Sequence, residues 1–366
     1  MKCKLADIAE FNPKETIKKG TVAKKIAMDK LRPFCRDIPE YELAPFTGGA
    51  KFRNGDTIMA RITPCLENGK TAKVNVLETG EVGFGSTEFL VFRANKNITD
   101  EDYLYYLVCS PIVRDIAIKS MIGSSGRQRV QTDVVQNIEI DLPSLGNQKR
   151  IGNLLRSLDD KIELNNKINA NLEQQAQALF KAWFVDFEPF DGKMPEDWQE
   201  IPLEKLCEVV TKGTTPTTFG KPFTEQGVNF IKGETIQENH TFDLQKMSHI
   251  SDETNQLLKR SIIHSDDILF TIAGTLGRFA MVDEDLLPAN TNQAVCIIRS
   301  SSERVSPIFL YSFFIGNWHN EFYAKRVQQA VQQNLSLGTI KSLPILIPPL
   351  KSWAYIVIYL VQYSNR

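Results

Sequence analysis

Apolar positions along this chain change their spacing once. Outside the centre they come as short runs behind acidic or glycine turns, such as NGDTIMARI (Asn54 to Ile62) and SDDILFTIA (Ser265 to Ala273), which predict short strands. Between Arg150 and Phe190 the pattern becomes helical, in RIGNLLRSLDDKIELNNKINANLEQQAQALFKAWFVDFEPF, with no proline before Pro189. Ile151, Leu155, Leu158 and Ile162, then Leu172, Ala176, Leu179 and Trp183, recur in steps of three and four as an a/d seam. Asn165 and Asn169 fall on the same seam, where a buried Asn lowers stability but fixes register. At ~1.5 Å per residue, roughly 33 residues make a rod of about 50 Å. A rod of that length outruns a domain of ordinary size, so part of the seam calls for another helix; the plainer alternative is a connecting helix packed on one domain.

The runs on either side of this helix repeat in order. NGDTIMARI is answered by SDDILFTIA, with Asp56 set against Asp266; GKTAKV (Gly69 to Val74) by GRFAMV (Gly277 to Val282); and STEFLVFRA (Ser86 to Ala94) by NQAVCIIRS (Asn292 to Ser300). The helical DYLYYLVCS (Asp102 to Ser110) matches IFLYSFFIG (Ile308 to Gly316), and RQRVQTDVVQNIEIDLPSL (Arg127 to Leu145) matches QQNLSLGTIKSLPILIPPL (Gln332 to Leu350). Each copy also opens alike, KLADIAEF (Lys4 to Phe11) against PLEKLCEVV (Pro202 to Val210). A period this long is a duplicated domain, not a solenoid. The fold class expected is α+β: two similar domains, 1–145 and 191–350, joined by a coiled-coil-like helix at 146–190, with an atypical tail at 351–366.

Composition narrows the function classes. Hydrophobic residues make up 42% and charged residues 24% of the chain, enough to build real cores. The start, MKCKLADIAEF, has no apolar run of signal-peptide length, and no stretch has membrane-spanning length, so a cytoplasmic protein is expected. Six scattered cysteines offer neither a CxxC metal pair nor a dense disulfide framework. Net charge is −1, with 23 Lys/Arg against 19 Asp/Glu in residues 1–150 and 20 against 25 in 151–366, so any nucleic-acid surface must be a local patch.

Catalytic signatures are missing from the sequence. Asn12-Pro13 continues as Lys14-Glu15 and not as a base-flipping NPPY, Gly83-Phe84-Gly85 lacks the third glycine of a nucleoside-cofactor turn, and there is no GxxxxGK[ST]. Asp100-Glu101-Asp102, Asp159-Asp160 and Asp266-Asp267 read as turn and helix-start acids, and the histidines at 240, 249, 264 and 319 have no ligand spacing. DNA contact has better candidates, because base readout uses side chains able to make paired hydrogen bonds. Arg127, Gln128 and Arg129 follow a glycine-rich turn in GSSGRQRVQ, and Lys325, Arg326, Gln328, Gln329, Gln332, Gln333 and Asn334 occupy the matching segment of the second copy. The competing reading is a pair of solvated loops ahead of a helix. Lys14, Lys18, Lys19, Lys24, Lys25, Arg32 and Arg36 form a basic run that either tracks phosphates or is a solvated face.

The duplicated domains, the segment LPSLGNQKRIGNLLRSLDDKIELNNKINANLEQQAQALFKAWFVDFEPF and the restart at GKMPEDWQEIPLEKLCEVV together resemble the specificity subunit of type I restriction-modification enzymes, over residues 1 to about 350. The resemblance implies two target-recognition domains that each read half of a split site on double-stranded DNA. It further implies conserved helices that set the gap and dock modification subunits, and through them restriction subunits. This chain would then be non-catalytic and hold no cofactor or metal, with S-adenosylmethionine, ATP and Mg on partner chains. One departure stands out: the second copy runs into PPLKSWAYIVIYLVQYSNR, and the second conserved helix is expected to be missing, as in a truncated or frame-shifted product. Self-association through the seam, a scaffold without DNA binding, and a self-contained methyltransferase are the alternatives.

Overall fold

The computed structural model of the chain describes residues 1–301, 303–316 and 334–349. It divides into two compact units, 1–167 and 168–366. The first runs β1 (Lys2–Lys4), α1 (Leu5–Ile8), β2 (Ala9–Phe11), β3 (Val22–Ile26), β4 (Glu42–Pro45), β5 (Ala50–Phe52), β6 (Thr57–Ala60), β7 (Thr71–Lys73), β8 (Gly83–Gly85), β9 (Phe89–Ala94), α2 (Glu101–Cys109), α3 (Pro111–Lys119), α4 (Thr132–Gln136) and β10 (Glu139–Asp141). The long helix α5 follows, Leu145–Phe184. The second contains β11 (Gln199–Pro202), α6 (Leu203–Leu206), β12 (Cys207–Lys212), β13 (Val228–Ile231), β14 (Ser248–Ile250), α7 (Asp252–Leu257), β15 (Ile262–Ile263), β16 (Ile268–Thr271), β17 (Phe279–Met281), β18 (Ala289–Thr291), β19 (Val295–Ser300), α8 (Pro307–Ile315), α9 (Leu337–Lys341) and β20 (Pro344–Ile347).

In the first unit one sheet has the order β2-β9-β6-β7, a second β4-β3-β8-β5, and β1 pairs with β10; the second unit repeats this as β12-β19-β16-β17, β14-β13-β18-β15 and β11 with β20. Even the one parallel pairing in each second sheet recurs, β3 with β8 and β13 with β18. Strand periodicity explains why the central strands are buried on both faces. Met59, Leu90 and Phe92 point to one side and pack with α2, α3 and α4, while Ile58, Phe89 and Val91 point to the other and pack with Ile26 and Phe52 of the second sheet. Phe270, Cys296 and Ile298 against Leu269, Val295 and Ile297 divide the second unit in the same way.

A bidentate ion pair closes the end of each central strand pair. Both oxygens of Asp56 accept from Arg93 at 2.7 Å, and Asp56 also caps the backbone N–H of Arg53. Asp267 does the same with Arg299 at 2.7 Å and with the N–H of His264. Asp267, therefore, and not Asp266, is the partner of Asp56 in the repeat. Asp266 sits at φ +64, where the first unit has Gly55 at φ +89, so it fills a left-handed turn position. The side chains of Asp56 and Asp267 are buried while their arginines keep about a quarter of their surface in water, which limits the loss when a pair is broken.

The basic run of residues 14–36 does not form one phosphate track. Lys24 is buried, donating to the Val76 carbonyl and pairing with Glu81 and Glu78; Lys25 pairs with Glu42; Arg36 grips Asp37 and Asp160. Lys14, Lys18, Lys19 and Arg32 remain exposed. Tail residues 350–366 and His319 lie outside the described residues.

The correction at 266 and 267 is testable by denaturant melting. Asp267→Ala is expected to lose about 2–4 kcal/mol, since it strands the partly buried Arg299 guanidinium and uncaps the turn N–H of His264. Asp266→Gly is expected to be neutral or slightly stabilising, since glycine tolerates its backbone. The reverse order would restore Asp266 as the structural acid.

Candidate nucleic-acid interface

Residues 122–130 form a hairpin. Ile122 and Arg129 exchange both backbone hydrogen bonds at 2.9–3.0 Å, and the returning arm docks on the continuation of β6, with Thr63 N–H donating to Gln128 and Val130 N–H to Arg61. Gly123 and Gly126 adopt φ +133 and +77; a Cβ at Gly126 would meet open space, so turn geometry and not crowding requires glycine there. Arg127 stands exposed at the tip and Gln128 is half-buried.

Arg129 is held. Its Nε and Nη2 donate to the carboxylate of Glu88 at 2.7–3.0 Å, and Arg61 Nε reaches the same carboxylate at 3.4 Å. The Arg129 hydrogen bonds, opposed by desolvation and assisted by Arg61, hold the Glu88 carboxyl below the usual carboxylate range. Arg61 also lines a cleft of about 450 Å³ together with Asn12, Lys14, Glu15, Lys51, Thr87 and Phe89. Lys14, Lys51, Arg61, Arg129 and Arg127 are thus gathered around one cleft and its neighbouring hairpin. That is the local basic patch which a net charge of −1 permits.

In the second unit, Lys325, Arg326, Gln328, Gln329, Gln332 and Gln333 lie outside the described residues; Asn334 is described and exposed. Two backbone hydrogen bonds beside it repeat those of the first unit. Ile272 N–H donates to Ala294 as Arg61 does to Glu88, and Leu335 N–H donates to Ile272 as Val130 does to Arg61. Asn334 therefore occupies the place of Arg129, Ala294 that of Glu88, and Ile272 that of Arg61. Sequence reasoning missed Arg61 and Glu88. Their signal lay inside the matched blocks, where two charged residues face Ile272 and Ala294 among otherwise similar apolar positions.

Helix α5 meets each unit by a different chemistry. Against the first, buried Gln148 bonds the N–H of Asp100 and the carbonyls of Ile98 and Pro143, and Gly152 lets the helix approach the start of α2, where a Cβ would come within 3.0 Å of three atoms. Arg156 pairs with Asp102, Tyr106 donates to Asp159 at 2.6 Å, and Arg36 donates to Asp160 at 2.6 Å. Asp159 and Asp160 are accordingly docking acids in mid-helix, not turn or helix-start acids; Asp100 is the acid that caps α2. Against the second unit the contact is aromatic: Phe180 and Phe184 stack at 4.5 Å and pack with Trp198, Phe309 and Phe313.

The seam lies differently at its two ends. Ile151, Leu158 and Ile162 are exposed, Leu158 by 53% and Ile162 by 59%, and Asn165 and Asn169 are exposed on the same stripe. Leu154 belongs to this stripe in place of Leu155, which turns half inward. Beyond Ile168 the buried positions are Phe180 and Phe184, at 4% and 8% exposure, while Leu172, Leu179 and Trp183 are only half-buried. The aromatic core of the second unit takes a face one residue round from the one that the apolar spacing selects.

The model of the type I restriction modification DNA specificity domain matches residues 1–174 and again 195–366. The chain belongs to this family. Among curated relatives, the Haemophilus influenzae type I restriction enzyme HindI specificity subunit is 27% identical over 327 residues, spanning 71% of this chain and 69% of that protein. The Methanocaldococcus jannaschii MjaIX specificity subunit is 25% identical over 336 residues, spanning 86% and 75%. A crystal structure of a type I restriction-modification S subunit from M. genitalium aligns with all of this chain and 91% of its own, at a TM-score of 0.57 and 12% identity, a likeness of fold. The family is one of DNA specificity and not of catalysis. Among the described residues no helix is long and apolar enough to cross a membrane.

An exposed stripe of Ile151, Leu154, Leu158 and Ile162 is expected to draw a partner helix. Replacing Leu158 and Ile162 with Lys should abolish self-association, or co-purification with a partner subunit, without lowering the melting temperature. A wild type that sediments as a soluble monomer at micromolar concentration, indistinguishable from the variant, would show that the stripe needs no cover.

Proposed function

We propose that this specificity-family chain reads a split sequence on double-stranded DNA, one half-site per unit, and carries modification subunits on the exposed stripe of α5, with restriction subunits joining through them. The recognition domains would span about 1–145 and 191–350, with 146–190 as spacer and dock. One observation carries the reading: the same backbone frame occurs twice and presents different hydrogen-bonding side chains at matched positions, Arg129 and Asn334, as two unlike half-sites require. Methyl transfer, ATP hydrolysis and cleavage, with S-adenosylmethionine, ATP and Mg, are assigned to the partner chains.

The test is reconstitution with the modification subunit and selection from a pool of random duplexes. The complex is expected to enrich a bipartite sequence, with affinity falling steeply as salt rises. The isolated chain is expected neither to methylate nor to cut DNA. Methyl transfer by the chain alone, or a reconstituted complex with no sequence preference, would defeat the proposal.

A further inference from the structure

The strand ends that seat the first-unit hairpin share two backbone hydrogen bonds with the matching described positions of the second unit, and differ from them in chemistry at three places. Arg61, Glu88 and Arg129 stand where the second unit has Ile272, Ala294 and Asn334, on backbones fixed by the same pair of hydrogen bonds at 2.8–2.9 Å. A change of target must change side chains without moving the frame; of these positions Arg129 and Asn334 are exposed, Arg61, Glu88 and Ala294 are half-buried, and Ile272 is buried in the core of its unit.

The geometry of Arg129 decides what it can touch. A guanidinium has five N–H groups. Glu88 takes Nε–H and one proton of Nη2. The Nη1 and Nη2 protons of the outer edge remain as a fork, which is the set that pairs with O6 and N7 of guanine. The side chain is 48% exposed, so that edge is open to a ligand. A carboxylate buttress also argues against a phosphate contact. Its negative charge would repel a backbone phosphate drawn to the same arginine, whereas a neutral base edge pays no such penalty and gains from a rotamer already fixed. Asn334 carries the amide that pairs with N6 and N7 of adenine, and, being neutral, it needs no counter-charge; the residue in the place of Glu88 is accordingly the uncharged Ala294.

We propose that Arg129 reads a guanine in one half-site through its outer Nη1/Nη2 edge, that Glu88 is the positioning residue which aims that edge, and that Asn334 at the matching place reads an adenine in the other half-site. This rests on the DNA-reading function proposed above.

The experiment is random-duplex selection with the complex of chain and modification subunit, comparing the wild type with single variants. Arg129→Ala is expected to lose about tenfold to a hundredfold of discrimination at one base pair of one half-site and to leave the other half-site intact. Asn334→Ala should do the same at one A·T pair of the opposite half-site. Glu88→Gln removes a negative charge near the backbone, so it should bind random duplex more tightly while discriminating less at the same base pair as Arg129→Ala. A pair that merely stapled the hairpin to the sheet would shift the melting temperature and leave base preference alone. If Arg129→Ala fails to fold, Arg129→Lys keeps the charge without the fork and should show the same loss of discrimination.

The proposal is overturned if Arg129→Ala weakens all sequences equally, or if either variant enriches the wild-type sequence unchanged. A wild-type complex that enriches no sequence would sink the DNA-reading function as well, so the two failures are told apart by the wild type alone.

Discussion

Everything in each unit hangs on a strand pair that is buried on both faces. β6 and β9, like β16 and β19, exchange a full antiparallel ladder while helices cover one side and a second sheet the other. A one-residue slip would turn Met59, Leu90 and Phe92 into the layer built for Ile58, Phe89 and Val91, so register has no freedom. The Asp56–Arg93 and Asp267–Arg299 pairs fix one end of each strand pair, and the loops at the other end carry Arg61 with Glu88 and Ile272 with Ala294. A frame that cannot slip is what allows its rim to vary. Exposed side chains at matched rim positions, Arg129 and Asn334, can be exchanged with little effect on the core beneath them, whereas Ile272 belongs to that core.

The two seats of α5 follow from magnitudes. On the second unit, two buried phenylalanines contribute roughly 2–3 kcal/mol each through apolar burial. On the first, both ion pairs, Arg36–Asp160 and Arg156–Asp102, have one partner half in water, where an exposed pair is worth about 0–1 kcal/mol, and the firm contacts are those of buried Gln148 and the close approach at Gly152. A polar seat covers one side of the helix without needing its apolar residues. Ile151, Leu154, Leu158 and Ile162 are therefore left for something else to bury.

Much of this was legible in the sequence, and the failures have physical causes. The duplication could be read because both copies bury the same strands and helices, and the long helix because its period persists for many turns without proline. Assigning Asp266 went wrong because two adjacent acids look alike on paper, although the two blocks aligned residue for residue already set Gly55 against Asp266 and Asp56 against Asp267, and the backbone geometry agrees with that alignment. The seam drifted at Phe180 and Phe184 because α5 passes from one neighbour to another, and a spacing rule carries no memory of which neighbour is being faced. Lys24 looked like a phosphate contact because Glu81 lies 57 residues away in the chain, and Arg36 because one of its two acids, Asp160, lies 124 residues away while the adjacent Asp37 gave no sign of being its partner. Glu88 escaped notice for the same reason.

These hidden partners bear on a chain that reads DNA with a net charge of −1. Affinity built from many free lysines and arginines is indifferent to sequence. In the first unit the arginines are used differently: Arg129 and Arg61 share Glu88 at the hairpin, and Arg93 and Arg53 share Glu15 at the opposite end of the strand pair. Each carboxylate removes attraction for phosphate and fixes the direction of a guanidinium. The surface is thereby weakened as an electrostatic glue, and under the proposed reading the same carboxylates aim guanidinium edges at bases. Attraction for phosphate is left to the exposed Lys14, Lys18, Lys19, Arg32 and Arg127, which take no part in this sharing, so the first unit divides its cations between those a carboxylate aims and those that follow charge alone.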